Sequence, residues 1–446
     1  MRIVLDTALN TGPAEYANLG DVAMLQVAVT RLLRLWPSAC INVLTESPGN
    51  LAAYCPGTKP LPRAGRDLWV GDNAIFGGFD RLLPRAASVG LSVLSRALRL
   101  RCPHAFRRLM HLRLAIRDRR NVGPQVDAFI EAMSHADLFV VCGAGGFTDS
   151  AGAWNASTLN TLEEAIQRKV SAVMFGQGMG PLNDLQVQNR ARRVLPQVSL
   201  FTLRGCRGGQ ELAESLGLDT ARLLTTGDEA VELAYEARAR EAGQAVGINL
   251  RVASYSNVNG DMIDKLRPVL HEFARRHNVP LIPVPIAFHA WAKDHVSIQQ
   301  LLKGFNDHSD GGIKLDTPIK VIEQVGRCRI VVTGAYHAAV FALSQGIPVV
   351  GLSASDDYTA KFLGLEDQFG LGCETVLLDA ADVSERLAAA IEKSWQSADK
   401  VRRPLQEAAR RQIELSQGAY LRAREDVISR GSNRSVEGKV TEPGNE

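Results

Sequence analysis

Short apolar runs alternate with longer amphipathic segments along most of the chain. The runs have the length of buried strands, and the longer segments have apolar positions three and four residues apart, as helices do. Strands that alternate with helices predict a parallel sheet. The predicted elements of the first half are strands at Ile3–Leu5, Ile41–Leu44, Ala136–Val141, Ser171–Phe175 and Ser199–Leu203, and a helix near Asp21–Leu35.

The alternation restarts after an Ala- and Glu-rich stretch that ends near Gln244. The second series has strands at Ala245–Leu250, Leu281–Ile286, Ile330–Val332, Ile347–Leu352 and Thr375–Leu378, and a long helix near Pro404–Ser429. We therefore predict an α/β fold of two doubly wound, Rossmann-like domains, 1–235 and 236–431, that face a cleft. Segment 60–122 is predicted to be a basic helical insertion, and the polar segment 432–446 a disordered tail.

Composition agrees with this architecture. The 446 residues exceed what one hydrophobic core usually supports. The seven cysteines are scattered without a C-x-x-C pair, which argues against a disulfide framework or a zinc site. Neither a signal-peptide pattern nor an apolar run of membrane-spanning length is found, so we expect a cytoplasmic protein, free or peripheral to the inner face of the membrane.

Positive charge is concentrated in one segment, although the net charge is only +3. Between Arg81 and Arg120, eleven arginines and one acid, Asp118, are interspersed with leucines at helical spacing. This pattern predicts cationic amphipathic helices. Their charged side is either a solvated surface or a contact with an anionic membrane or a phosphate-bearing acceptor. No nucleic-acid-binding motif accompanies the segment, so nucleic acid is not an expected partner.

Glycine-rich loops follow two predicted strands, at Gly143–Asp149 and Gly176–Pro181. Neither is a P-loop, because no Gly-Lys-Ser/Thr follows. The glycines either form turns or let a ligand approach the backbone. An Asn-Leu-Gly-Asp tetrapeptide follows the first strand, and Asp21 is expected to cap the next helix. The candidate pocket residues are Asn18, Asp21, Gly145, Gly146, Asp149, Gln177 and Gly178.

A histidine is predicted at the start of a helix in the second half. Arg329–Val332 is a strand, Gly334 a turn, and Ala335–Gln345 a helix. His337 then lies in the first helical turn, beside free backbone N–H groups and the positive end of the helix dipole. It is our candidate acid, and the alternative is a histidine that only caps or packs locally.

A second histidine follows the strand Leu281–Ile286. His289 is expected to deprotonate an acceptor hydroxyl, with Asp294 holding it in place. The irregular spacing of these residues does not favour a metal site, so no metal is expected.

The ordered set of motifs resembles the polysaccharide pyruvyl transferase family. The corresponding pieces are Asn18–Asp21, Gly143–Asp149, Gly176–Pro181, Arg204, Thr333–His337 and Tyr358–Lys361. The resemblance implies a fold like the GT-B glycosyltransferases, with phosphoenolpyruvate as donor and co-substrate. It also implies a saccharide or lipid-linked saccharide as acceptor, a pyruvate ketal as product, and no further cofactor.

This chain departs from the family pattern at one position. Ala335 occupies the place of the family's arginine two residues before the histidine. The expected donor-binding groups are therefore Gly334, Ala335 and Tyr336 at the helix start, together with Arg204, Lys361 and Arg251. Ala335→Arg is expected to tighten donor binding if the pocket has room. The alternatives are a GT-B glycosyltransferase that uses a nucleotide sugar, or a binding protein that has lost catalysis.

Overall fold

The computed structural model describes residues 1–7, 16–72, 74–76, 85–117, 120–143, 145–205, 207–253 and 256–437. Residues 438–446 of the predicted tail and Arg81, Asp118 and Arg119 of the arginine-rich segment lie outside the described residues.

The first sheet has seven parallel strands in the order β3-β2-β1-β4-β5-β6-β7. They are β1 Arg2–Asp6, β2 Cys40–Thr45, β3 Lys59–Pro62, β4 Leu138–Val141, β5 Ser171–Gln177, β6 Leu200–Leu203 and β7 Leu223–Thr225. The accompanying helices are α1 Leu19–Leu35, α2 Pro48–Tyr54, α3 Arg63–Val70, α4 Arg85–Arg101, α5 Pro103–Ile116, α6 Gly123–Ser134, α7 Gly152–Gln167, α8 Leu185–Val194, α9 Gly209–Ser215 and α10 Ala230–Glu236.

The second sheet has five parallel strands in the order β14-β13-β12-β8-β9. Its strands are β8 Ala245–Asn249, β9 Leu281–Pro283, β12 Cys328–Thr333, β13 Val349–Ser353 and β14 Cys373–Leu377, and a separate antiparallel hairpin is formed by β10 Phe288–His289 and β11 Ala292–Lys293. The helices are α11 Asp261–His277, α12 Asp294–Leu302, α13 Pro318–Val325, α14 Tyr336–Ser344, α15 Asp356–Phe369 and α16 Val383–Glu437.

Both sheets are covered by helices, which explains why their strands read as continuous apolar runs. The four residues of β4, for example, are all fully buried. The predicted fold of two Rossmann-like domains is confirmed.

Three boundary predictions were wrong. β3 belongs to the first sheet, so the helical insertion begins after it rather than at residue 60. α16 contains Pro404 well inside it, whereas the sequence placed a helix start there. The same helix continues to Glu437, beyond the predicted start of the tail at 432. Packing of α16 against both domains outweighs the helix-breaking tendency of the proline.

The C-terminal helix returns to the N-terminal domain. Tyr420 of α16 stacks on Phe175 of β5, with ring centroids 3.8 Å apart. Arg31 of α1 donates a hydrogen bond to Ser416 of α16 at 2.5 Å. This helix therefore connects the two domains behind the cleft. Within the described residues, no helix is long and apolar enough to cross a membrane.

Candidate active site

The two domains are joined by backbone contacts at the start of α1. Asn18 forms an antiparallel bridge with Ala287, which follows β9 in the second domain. Asn18 also caps α1, because its side-chain oxygen accepts the amide of Gly20 at 3.1 Å. The prediction that Asp21 is the cap was wrong, since Asp21 lies in the first turn. The Asn-Leu-Gly-Asp tetrapeptide therefore lies at the junction of the domains.

His337 lies in the first turn of α14, as predicted, and is buried. Its Nε2 is 3.6 Å from Oδ2 of Asp228, which follows β7 in the other domain. The ring also packs against Gly20, where an added Cβ would lie 1.9 Å from Cγ of the histidine. Only glycine fits at that position of α1 while the ring keeps this place.

Asp228 is a central residue that the sequence reasoning missed. Its Oδ1 accepts the amide of Ala230 at 2.9 Å, and its Oδ2 lies 3.3 Å from an Nη of Arg204. Burial alone would raise its pKa, but the close approach and charge of His337 and the charge of Arg204 outweigh burial and hold the pKa below its ordinary value. The sequence signal that identifies it is the pair Gly227-Asp228 after a short apolar run, which has the same Gly-Asp order as Gly20-Asp21.

Asp21 is the second buried carboxylate of the cluster. Burial raises its pKa, although the positive charges of His337 and Arg204 oppose that shift. Asp228 adds to the increase because two carboxylates repel each other. The two acids are therefore shifted in opposite directions, an arrangement typical of acid–base sites.

Arg204 follows β6 and passes between the two glycine loops. An added Cβ at Gly145 would lie 2.7 Å from its Nη2, and one at Gly178 would lie 2.9 Å from its Nε. The guanidinium carbon is 4.2 Å from the ring centroid of Tyr336, which is the first residue of α14. The loops thus lack side chains where the arginine needs space.

Lys361 of α15 lies on the same side of the cluster as Arg204. Its Cε would be 3.7 Å from a Cβ added at Gly145, and its Nζ is 2.5 Å from Oδ2 of Asp357. Gln368, further along α15, donates hydrogen bonds to the backbone carbonyls of Arg204 and Gly205. α15 therefore fixes the position of both cations.

Arg251 is held by Asp294 in a bidentate ion pair, with N–O distances of 2.7 and 2.9 Å. The same carboxylate accepts hydrogen bonds from the side chain of Asn249 and from the amides of Ile286 and Ala287. Asp294 is buried, so this network fixes Arg251 at the carboxyl end of β8.

The predicted support of His289 by Asp294 was wrong, because the carboxylate oxygens of Asp294 are engaged by Arg251, Asn249 and backbone amides. The ring of His289 instead stacks on Trp291, with centroids 5.0 Å apart. Burial and the charge of Arg251 lower the pKa of His289 to about 4, although the charge of Asp294 opposes the shift. The ring is therefore neutral at physiological pH and is a weak base.

The remaining loop residues make structural contacts. Asp149 accepts hydrogen bonds from the amides of Asn183 and Asp184, at 2.6 and 3.1 Å. Gln177 is buried and donates to the carbonyl of Phe175 at 2.8 Å. Gly146 leaves room for the ring of Trp154. These contacts keep the two glycine loops side by side.

Ala335 forms the N-cap position between β12 and α14, with Gly334 before it. It has no exposed surface and packs within the hydrophobic core. A longer side chain has to displace packed neighbours there, so the expected gain from Ala335→Arg conflicts with the structure.

The described residues contain no group of three or more His, Cys, Asp or Glu side chains placed to bind a metal ion. The cluster instead combines a histidine, two carboxylates and three cations around the N-terminus of α14. Such an arrangement can bind an anion and transfer protons.

The two facing Rossmann-like domains define a fold of the GT-B type. The family model for polysaccharide pyruvyl transferase matches residues 18–356, and the chain belongs to this family. A comparison with curated proteins found no significant match.

Solved structures share the fold at low sequence identity. One is a putative UDP-N-acetylglucosamine 2-epimerase from Listeria monocytogenes, with 10% identity, a TM-score of 0.54, and coverage of 100% of this chain and 98% of that one. Another is UDP-GlcNAc 2-epimerase from Neisseria meningitidis bound to UDP-GlcNAc, with 10% identity, a TM-score of 0.50, and coverage of 95% and 99%. A glycosyltransferase from Rickettsia africae has 8% identity, a TM-score of 0.50, and coverage of 96% and 98%. These likenesses establish the fold alone.

Proposed function

We propose that this protein transfers a pyruvyl group from phosphoenolpyruvate to two hydroxyls of a saccharide or lipid-linked saccharide, forming a ketal. The observation that carries the proposal is the contact of His337 with Asp228 across the two domains, beside Arg204 and the N-terminus of α14. Family membership supports the same reaction class.

The reaction needs one proton donor, one proton acceptor and a site for the leaving phosphate. Protonation of the donor's methylene carbon makes it a methyl group, and the first hydroxyl oxygen bonds to the neighbouring carbon. Loss of phosphate and attack by the second hydroxyl then close the ketal. The two hydroxyl protons balance the new C–H bond and the protonation of the released phosphate.

His337 is the proposed acid. A carboxylate oxygen of Asp228 lies 3.6 Å from Nε2 of the histidine, and its negative charge stabilises the ring when the ring carries a proton. Asp21 is the proposed acceptor of the hydroxyl proton, because burial raises its pKa and makes its carboxylate a stronger base. The low pKa of His289 favours a hydrogen-bonding role toward the acceptor instead.

The donor's phosphate and carboxylate are proposed to bind between Arg204, Lys361 and the first turn of α14. Backbone N–H groups at a helix N-terminus have no intrahelical partner and favour anions. Arg251 is proposed to add positive charge from the other side of the turn, since its amide lies 3.0 Å from a Cβ added at Gly334. The donor's carboxylate then lacks the family's arginine and relies on these groups.

Ala335 also favours a second candidate, a transferase that uses a nucleotide sugar. Without an arginine at this position, the helix N-terminus is equally suited to a diphosphate. Titration with phosphoenolpyruvate and with UDP-N-acetylglucosamine separates the two candidates, because each predicts binding of only one of these ligands.

The decisive assay combines phosphoenolpyruvate with a panel of saccharides and measures both released phosphate and the mass of the product. Arg204→Gln is expected to weaken phosphoenolpyruvate binding at least tenfold, since charged hydrogen bonds are worth about 1.5–3 kcal/mol each. Arg207→Gln is the matched control. Arg207 lies three residues after Arg204 and carries the same charge, but it forms an exposed ion pair with Asp367. Binding of a nucleotide sugar but not of phosphoenolpyruvate contradicts the pyruvyl proposal.

A further inference from the structure

Helix α5 has an apolar stripe that no other part of the described structure covers. Its inner face buries Phe106, Met110 and Leu114. On the opposite side Leu109, Leu112 and Ile116 are 43, 59 and 77% exposed. Their spacing of three and four residues places them along one line on the helix surface. We call these three residues the α5 stripe.

The arginines of this region divide into two groups. Arg99 is buried against Glu163 and Glu164, Arg96 pairs with Glu163, and Arg107 lies 2.8 Å from Asp127. These three arginines form ion pairs within the protein, so they are not the side chains expected to contact a membrane or an acceptor. Arg101 and Arg108, by contrast, have exposed side chains.

Basic residues border the α5 stripe on both sides. Arg108 is four residues before Leu112, and Arg113 is four residues after Leu109, so each adjoins the stripe on the helix surface. No acidic residue occurs anywhere from Arg85 to Arg117. An exposed apolar line flanked by arginines, without acids, is typical of helices that lie in the interface of an anionic bilayer.

We propose that the α5 stripe, with the exposed Arg108, docks the protein onto an anionic lipid bilayer. The helix pair α4–α5 carries arginines and no acidic residue, which favours an anionic bilayer over a protein as the partner. An apolar protein partner would not require arginines beside the α5 stripe. Val93 and Leu94 of α4 are also exposed, at 62 and 55%, and add apolar surface to the pair. The proposal concerns a surface separate from the proposed active site.

The helix pair is attached to the first sheet through α3. Arg63 of α3 donates hydrogen bonds to the carbonyls of Thr7 and Leu44. Thr7 directly follows β1, and Leu44 is near the carboxyl end of β2. Arg99 of α4 in turn contacts the carbonyl of Trp69 in α3 at 3.5 Å. α4 is thus anchored through α3 to the carboxyl edge of the first sheet.

The test is co-sedimentation of the full chain with phosphatidylglycerol–phosphatidylcholine vesicles and with phosphatidylcholine vesicles. Binding is expected only to the anionic vesicles and is expected to fall as salt screens the charges. Replacing the α5 stripe by Leu109→Ser, Leu112→Ser and Ile116→Ser together is expected to reduce binding at least about tenfold. Arg108→Gln alone is expected to reduce it about fivefold.

The matched control replaces three exposed apolar residues of α16 by Leu415→Ser, Leu421→Ser and Ile428→Ser. It removes the same kind of surface elsewhere and is expected to bind vesicles like the wild type. Circular dichroism melting verifies that both triple variants fold. Failure of the wild type to bind anionic vesicles overturns the proposal, as does equal binding by the α5 variant. A wild-type dimer that the α5 variant converts to a monomer, without vesicle binding, also overturns it and assigns the stripe to a second copy.

Discussion

Nε2 of His337 lies 3.6 Å from Oδ2 of Asp228, although the two residues belong to different domains. The histidine is in the first turn of α14, while the aspartate follows β7 of the first sheet. The same carboxylate contacts Arg204. Formation of the pair therefore requires both domains, since either domain alone lacks half of it.

Asp228→Asn tests this relationship. The amide side chain still accepts the N–H of Ala230 but gives no counter-charge to a protonated His337. We expect turnover to fall at least about tenfold, because the positive charge of the proposed acid loses its buried partner. Asp367→Asn is the control, because Asp367 also pairs with an arginine, Arg207, but at an exposed position. Unchanged turnover in a folded Asp228→Asn variant contradicts the role of the pair.

His337→Gln is expected to lower turnover by roughly a hundredfold or more, because general acid catalysis contributes that much. The fold is expected to survive, since glutamine retains polar atoms in a cleft position. His271→Gln is the matched control, because His271 is also buried and its Nε2 donates a hydrogen bond to the carbonyl of Leu301 within the second domain. Wild-type turnover by a folded His337→Gln protein excludes it as the acid.

Gly20→Ala tests the packing of the same histidine. The added methyl carbon would lie 1.9 Å from Cγ of His337, so the ring has to move. We expect a loss of about 1–3 kcal/mol in the free energy of unfolding, and lower turnover. Gly49→Ala is the control, because Gly49 is the second residue of α2 as Gly20 is of α1, and a Cβ added there has no atom within 4 Å. It is expected to be neutral or stabilising by up to about 1 kcal/mol. Equal results for both variants contradict the close approach.

Ten of the twelve strands in the two sheets were predicted, because each is a mostly apolar run between polar turns. The strands β3 and β7 were not predicted from the sequence. β3 contains two prolines at the sheet edge, and β7 has only three residues. Edge strands tolerate proline and need less apolar surface. The first part of α16 was not predicted, because a proline such as Pro404 is typical of the first turn of a helix.

The site was predictable where a motif follows a strand, and less so where partners come from distant segments. His337, Arg204 and Lys361 were identified from their positions in the chain. Asp228 was not, because its contact with His337 joins residues more than a hundred positions apart. Asp294 was identified but paired with the wrong partner, since proximity in sequence favoured His289 over Arg251.

A second buried acid, Glu229, follows Asp228 directly but faces α16. Its Oε1 accepts a hydrogen bond from the hydroxyl of Tyr420, and its Oε2 lies 3.7 Å from Sγ of Cys142. Burial raises the pKa of Glu229 from 4.5 to about 7, although the charge of Arg31 opposes the shift. The acid is therefore largely protonated in mildly acidic solution, at the contact that joins α16 to the first sheet.

Glu229→Gln is expected to change how stability depends on pH. Because the folded pKa lies above the unfolded one, the stabilisation from protonated Glu229 is fully present below about pH 4.5 and is lost as pH rises through about 7. The shift corresponds to about 3 kcal/mol. The glutamine variant keeps a neutral side chain at every pH, so its advantage over the wild type in denaturant unfolding should grow between pH 5 and pH 8. Glu425→Gln, which removes an exposed carboxylate of α16, is the charge-matched control. A difference between Glu229→Gln and wild type that stays constant over this range means that Glu229 does not titrate there, and that its contact with Tyr420 acts as a fixed hydrogen bond.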